Sequence, residues 1–226
     1  MQKIAVIPAR GGSKRIYQKN IKPLFGVPII VRTLRTIIKS KCFDQVIVST
    51  DSQEIQNQIC GFKECSIYRR SSDLSDDYTG TQIVVKDVCE NWDIDNEDLV
   101  CCIYPTAVLL SVSILKASFL KHTSSSCKFT FAAKEYVHPF ERSFFCENQK
   151  VVLPSNIQTS ARTQDFKKRY HDTGYFYWGK SKYWKSMQPI IHDGNQAYIL
   201  KQNEAWDIDT QDDWDLLEAL WVSSND

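Results

Sequence analysis

The chain has 226 residues, 42% of them hydrophobic and 12% aromatic, with a formal net charge of +1. That length suits one large domain, or one domain with a sizeable insertion, and allows a substantial core. Near-neutrality excludes a strongly basic protein that coats nucleic acid, and no apolar run approaches the roughly 20 residues of a membrane span.

Residues 3–9 form a short apolar run that reads as a buried strand and gives way to Arg10, Gly11, Gly12, Ser13, Lys14 and Arg15. Adjacent glycines let the backbone approach an anion closely and turn its N–H groups toward it. Arg10, Lys14 and Arg15 supply charge-assisted hydrogen bonds for phosphate oxygens. A strand, a glycine-containing basic loop and then a helix is how α/β proteins hold a nucleotide's phosphates. The loop is neither a Walker A motif nor G-x-G-x-x-G, so it reads as a triphosphate loop of another kind. The competing reading is a solvated basic turn after an edge strand.

Apolar residues at helical spacing predict a helix over 29–38, a strand over 45–50 and a short amphipathic helix over 51–59. Ile83, Val84, Val88 and Trp92 predict a helix over 82–92, followed by a strand over 99–104 and a helix over 111–120 carrying Leu115 and Phe119. This alternation predicts an α/β fold, a mainly parallel sheet flanked by helices on both faces. A further strand is read over 129–133, after which the pattern loosens. From about 136 to 188 a hairpin (144–146 and 151–153) and an aromatic strand (175–178) read as an inserted region that caps a site or builds a dimer contact. Trp214, Leu217, Leu220 and Trp221 predict a closing helix over 212–222. The eight cysteines include no C-x-x-C pair, and Cys101 and Cys102 lie in an apolar run, so they read as reduced, buried thiols. With no signal-peptide pattern at the start, a cytoplasmic protein is expected.

Ligands of open parallel sheets bind beyond the carboxyl ends of the strands. That rule selects residues 10–15, the Ser49-Thr50-Asp51 segment, in which Asp51 reads equally as a helix cap, and Tyr104-Pro105-Thr106. Thr79 and Thr81 flank Gly80 at the start of the 82–92 helix, as caps or as ligand contacts. Asp207-Ile208-Asp209 puts two carboxylates on one side of an extended segment, a spacing that suits Mg2+, unless Asp209 or Thr210 merely caps the last helix. Arg162, Gln164, Arg169, His171 and Asp172 concentrate polar chemistry in the inserted region, where arginine can grip a carboxylate bidentately; a plain surface loop is the alternative.

Taken together, these segments resemble the cytidylyltransferases that activate nine-carbon acidic sugars, the CMP-sialic acid synthetase family. The opening Ile7-Pro-Ala-Arg-Gly-Gly-Ser-Lys-Arg-Ile16, with Lys19-Asn20-Ile21-Lys22, is similar to that family's first motif. Leu74-Ser-Asp-Asp-Tyr-Thr-Gly-Thr81, Cys101-Cys-Ile-Tyr-Pro-Thr-Ala107, Tyr170-His-Asp-Thr-Gly174, Phe176-Tyr-Trp-Gly179 and Asp207-Ile-Asp-Thr210 resemble the branch acting on pseudaminic acid.

The resemblance implies a Rossmann-like nucleotidyltransferase fold, a homodimer with the inserted region at the contact, and CTP and an acidic nine-carbon sugar as substrates. Arg10, Gly12, Ser13, Lys14 and Lys19 would hold the triphosphate, Asn20 and Arg70 would lie near the cytidine, and Thr79, Gly80 and Thr81 would meet base or ribose. Tyr104, Thr106, Arg162, Gln164, His171, Asp172 and Tyr175 would form the sugar side, with Asp207 and Asp209 holding Mg2+. Arg10, Lys19 and Asp209 would carry the chemistry. Tyr17 and Gln18 stand where the family usually has proline and a basic residue, Val108 replaces a common proline, and Tyr175 takes the place of a polar residue. Activation of N-acetylneuraminic or legionaminic acid, and a CTP sensor without turnover, are the competing functions.

Overall fold

The computed structural model describes residues 1–154 and 162–225. Strand β1 (Lys3–Pro8) buries Ile4, Ala5, Val6 and Ile7 on both faces, as a central strand of a covered sheet must. The basic loop does not run straight into a helix as its pattern predicts. It makes one 3-10 turn at Lys19–Ile21 and a small ribbon, β2 (Pro23–Leu24) with β3 (Val27–Pro28), before helix α1 (Ile29–Ser40).

The chain continues through β4 (Gln45–Thr50), α2 (Gln53–Ile59), β5 (Cys65–Arg69), α3 (Thr81–Asn91), β6 (Leu99–Ile103), α4 (Val112–Thr123) and β7 (Phe129–Glu135). It then leaves the sheet, forms the hairpin β8 (Phe145–Glu147) and β9 (Lys150–Val152), and returns as β10 (Tyr170–Lys180). Positive φ at Asn148 (50°) and Gln149 (65°) gives that hairpin the two-residue turn that matches strand twist. Helix α5 (Ser181–Lys185), strand β11 (Gln196–Leu200) and helix α6 (Gln211–Asn225) complete the order.

Seven strands form one sheet in the order β11-β7-β10-β6-β1-β4-β5, parallel throughout except for β10, which runs antiparallel to β6 and β7. One face packs on α1 and α4 through Leu34, Ile37, Ile114 and Leu115, with Phe176 and Trp178 from the sheet. The other packs on α3 and α5 through Val85, Val88 and Trp184. Cys101 and Cys102 point to opposite faces, and burial pushes both thiols far above their ordinary pKa, which leaves them inert.

Within 136–188, Tyr170–Lys180 is a central strand, so the described excursion from the sheet before it comprises 136–154 and 162–169. Gly179 on β10 faces Phe129 on β7, and a Cβ there would lie 2.5 Å from the ring. Phe129 cannot yield, because it is fully buried edge-on against Trp184 at 5.0 Å between centroids. Gly179→Ala is therefore expected to cost about 1–3 kcal/mol through overpacking. Thermal denaturation would show it as a fall of about 2–4 °C per kcal/mol.

Candidate active site

The chain moves outward from β1 to β4 and β5, then jumps back across β1 to β6. The loops after β1 and β6 consequently diverge, leaving a crevice at the switch point. A cleft of about 170 Å3 opens there, lined among others by Arg10, Ser13, Lys19, Arg70, Thr81 and Tyr104, with Asn20, Thr79 and Thr106 also at its wall.

Asn20, nearly buried, donates to the Arg10 carbonyl at 2.9 Å and so folds the basic loop back on itself. The Gly11 N–H donates to Asp51 Oδ1 at 3.0 Å, and Gly11 sits so close to Ser52 that a Cβ would approach it to 2.8 Å. Gly12 is exposed with open space around it, the position at which an anion could meet the backbone. Asp51 does not cap α2. Ser52 does, accepting from the Ile55 N–H at 3.3 Å, which leaves the Asp51 carboxylate for Gly11 and, at 3.8 Å, Arg70.

Arg70 reaches the cleft buried. Its Nε donates to Ser75 at 3.1 Å, while Nη2 lacks a hydrogen-bond partner. Held by Ser75 and facing the Asp51 carboxylate, the guanidinium puts a fixed positive charge at the wall of the cleft. The cations of the loop are occupied by acids. Arg10 binds the Asp76 carbonyl and Asp77 Oδ1, both at 2.7 Å, and Lys14 binds Asp77 Oδ2 at 2.5 Å. Hydrogen bonds from Lys14 and then Arg10 hold the Asp77 carboxyl below the usual carboxylate range. An anionic ligand would therefore replace one carboxylate on two cations. Asp77 was not foreseen from sequence, because a two-acid turn gives no sign of which acid faces the loop.

Neither threonine flanking Gly80 caps α3. Thr81 Oγ1 accepts from the Tyr104 hydroxyl at 2.7 Å, and Thr79 Oγ1 donates to the Asp73 carbonyl at 3.4 Å. Burial pushes the Tyr104 phenol well up, so it remains a donor. Behind it stands Gly174 with φ +65°, where a Cβ would touch the Tyr104 ring at 3.4 Å. Asp172 holds that turn, accepting from the Gly174 N–H at 2.9 Å and from the Tyr177 hydroxyl at 2.7 Å. Tyr177 was missed in the sequence because an aromatic in a central strand reads as core.

The Asp207-Ile208-Asp209 segment alternates as expected: Ile208 is fully buried, and its neighbours turn away from the core. Thr210 and Asp213 form a reciprocal capping box on α6, so Asp209 is released from capping. Lys19 donates to the Ile208 carbonyl and lies 3.5 Å from Asp209, which also pairs with exposed Arg15 at 2.8 Å. Desolvation, and then the charge of Asp209, raise the Asp207 pKa.

The remaining sugar-side residues are not at this cleft. Arg162 and Gln164 are exposed at the 3-10 turn Thr163–Asp165, and Gln164 lines a separate depression with Tyr136, Phe140 and Arg169. His171 bonds its neighbour's carbonyl through Nδ1 at 2.9 Å and rests on Tyr136 at 4.8 Å between ring centroids. Tyr175 is 1% exposed, and its hydroxyl meets the backbone of Trp206 rather than the cleft.

A mainly parallel sheet whose switch-point crevice carries a basic loop, tied by Lys19 to a nearby pair of carboxylates, has the form of a nucleotide-handling α/β enzyme of the nucleotidyltransferase kind. A family model described as cytidylyltransferase matches residues 4–220, and the chain belongs to that family. It is 36% identical over 224 residues to a pseudaminic acid cytidylyltransferase of Campylobacter jejuni subsp. jejuni, covering 98% of this chain and 97% of that protein. Identity to N-acylneuraminate cytidylyltransferase A of Danio rerio is 28%, over 95% of this chain and 49% of that one. Among solved structures, a CMP:2-keto-3-deoxy-manno-octonic acid synthetase complexed with CTP shares the fold at a TM-score of 0.72 and 12% identity, covering 99% of this chain and 100% of that one. Among the described residues, no helix is long and apolar enough to cross a membrane.

Proposed function

We propose that the chain transfers the cytidylyl group of CTP to the anomeric hydroxyl of a nine-carbon acidic sugar, pseudaminic acid being preferred, and releases pyrophosphate. One observation carries the reading: Lys19, at the cleft wall, ties the basic loop to the Asp207–Asp209 strap, which puts the carboxylates next to the cleft that the triphosphate ligands line. The 36% identity to a named pseudaminic acid cytidylyltransferase favours that sugar.

Arg10, Ser13, Lys14 and Lys19 hold the triphosphate with the exposed backbone at Gly12, displacing Asp77 from its two cations. Arg70 lies near the cytidine, and Thr79, Gly80 and Thr81 border the base and ribose. Tyr104 and Thr106 line the sugar side; the resemblance assigns His171 and Asp172 of β10, and Arg162 and Gln164 of the excursion, to the same sugar. Positioning and charge stabilisation supply most of the acceleration in such a displacement. The hydroxyl oxygen attacks the α-phosphorus and gives up its proton to solvent, the bond to the bridging oxygen breaks, and Arg10 and Lys19 offset the charge gathering on pyrophosphate.

Asp207 and Asp209 fit Mg2+. Desolvation and then the neighbouring charge of Asp209 raise the cost of ionising Asp207, which a bound cation would relieve, and Asp207 spends only one oxygen on the Ile208 N–H. Among the described residues no group of three or more candidate ligands converges, so other positions would fall to water and phosphate oxygens. When bound, Mg2+ polarises the α-phosphate and favours the deprotonated hydroxyl.

Pyrophosphate release is the test, with CTP, Mg2+ and pseudaminic, N-acetylneuraminic or legionaminic acid supplied separately. Release with pseudaminic acid alone is the expected result. Preference for another acid would move the specificity, and CTP binding without release from any of them would make the protein a sensor.

The excursion at 136–154 and 162–169 also suits a dimer. Its hairpin exposes Phe144 (55%), Phe145 (61%), Val151 (62%) and Leu153 (55%), an apolar group that a second copy would cover. Sedimentation should give a dimer, and Phe145→Asp with Val151→Asp should give a folded monomer.

A further inference from the structure

We infer that Tyr175 and Lys134 are positioning residues that hold the strap bearing Asp207 and Asp209, an inference resting on the metal role proposed for those carboxylates. The two side chains come from neighbouring strands, β10 and β7, and point to the same face of the sheet. Tyr175 belongs to the core cluster on that face, and so does Ala132, two residues before Lys134 on the strand. They grip adjacent residues of the strap. The Tyr175 hydroxyl accepts from the Trp206 N–H at 2.9 Å and faces its carbonyl at 3.4 Å. Lys134 Nζ donates to the Ala205 carbonyl at 3.0 Å and lies 4.9 Å from the centroid of the Trp206 ring. Asp207 is the next residue. With Lys19 on the Ile208 carbonyl, the backbone is held from the sheet before the first carboxylate and from the basic loop after it.

Packing alone does not account for these two side chains. Lys134 is 6% exposed, and its ammonium meets a carbonyl and an indole face, with no carboxylate paired to it among the described residues. Desolvation lowers its pKa accordingly. Methionine would fill the same space without burying a charge, and phenylalanine would fill the place of Tyr175. What the two polar ends provide is direction: they fix the backbone from which the carboxylates project. Groups that orient metal ligands from behind have large effects on affinity. This also explains why tyrosine occupies a position where the resembled family more often has a polar residue beside the sugar. In this chain the hydroxyl is spent on the strap.

Lys134→Met and Tyr175→Phe separate this role from a structural one and from a sugar contact. Mn2+ alone would be titrated into the full chain by electron paramagnetic resonance, alongside thermal melts, the half-saturating Mg2+ for turnover and the sugar KM. Both variants are expected to bind Mn2+ about tenfold more weakly, with a matching rise in half-saturating Mg2+ and an unchanged sugar KM. Lys134→Met should do so without loss of melting temperature, which a merely structural role would not allow. Unchanged Mn2+ affinity in both folded variants would overturn the inference, as would a raised sugar KM in Tyr175→Phe with Mn2+ binding intact. Asp207→Asn is the control for the underlying reading: if it leaves wild-type Mn2+ binding unaltered, the carboxylate assignment fails and the inference with it.

Discussion

Asp209→Asn is expected to lower kcat by about two to three orders of magnitude, the scale on which one preorganised charge-stabilising group acts in a transition state. The substitution keeps the shape of the side chain and removes half of the paired charge. Folding should survive it, because capping of α6 belongs to Thr210 and Asp213, and the buried anchor of the segment is Ile208. Losing the ion pairs with Arg15 and Lys19 costs little, since Arg15 is largely exposed and surface pairs contribute about 0–1 kcal/mol. Steady-state pyrophosphate release and a thermal melt on the same preparation give the result. Near-normal turnover in a folded variant would remove Asp209 from the chemistry, and an unfolded one would make it structural.

The variant also has a directional consequence for nucleotide binding. Asp209 pairs with Arg15 and Lys19, and Asp77 with Arg10 and Lys14, so on the proposed reading each carboxylate would compete with phosphate for its cations. Neutralising Asp209 frees its cations, so CTP should bind as well as before or better while turnover collapses. A fall in kcat without a rise in the CTP dissociation constant marks a group whose stabilisation is realised in the transition state.

Elements buried on both faces were legible in the sequence because nothing else explains a continuous apolar run. Ile4 through Ile7 and the β6 run from Leu99 to Ile103 are such cases, and both are central strands. Edge strands were not. In β5, Cys65–Arg69, half-buried and exposed residues mix without strict alternation and none is buried, and β11 buries only Leu200 fully, so neither has a periodicity that stands above loop sequence. The direction of β10 was also hidden, because side-chain alternation is the same in parallel and antiparallel pairing.

The site divides along the same line. The basic loop and the D-x-D segment announce themselves by charge density, and the cleft brings the loop, Arg70 and the residues around Thr81 and Tyr104 together. Which partner each group has was invisible. Nothing in Ser49-Thr50-Asp51 says that Ser52 caps α2 and releases Asp51, and nothing in an aromatic strand says that the Tyr175 hydroxyl is spent on Trp206. Hydrogen bonds between residues 30 or more apart depend on register, which sequence pattern specifies for apolar faces and not for polar contacts.

Lys19→Met should be the most damaging single change in the basic loop, because Lys19 acts on both halves of the site. Its side chain is only 19% exposed, with the ammonium between the Ile208 carbonyl and Asp209, and it lines the cleft beside Ser13 and Arg10. Methionine preserves the apolar stem and deletes the charge. The pyrophosphate would then leave with one cation fewer, a loss worth about a hundred- to a thousandfold in kcat by comparison with removal of a single oxyanion donor. The strap would also lose its tether to the loop, so a second effect is expected: the half-saturating Mg2+ should rise along with the CTP KM. Lys14→Met is the internal comparison. Lys14 is 80% exposed and among the described residues reaches only Asp77, so its loss should raise the CTP KM modestly and leave the Mg2+ requirement where it was. If both variants changed only the CTP KM, Lys19 would be a phosphate contact and nothing more, and the coupling of loop to strap would carry no chemical consequence. A change in Mg2+ requirement confined to Lys19→Met would show that the same ammonium sets the distance between the leaving phosphate and the carboxylates.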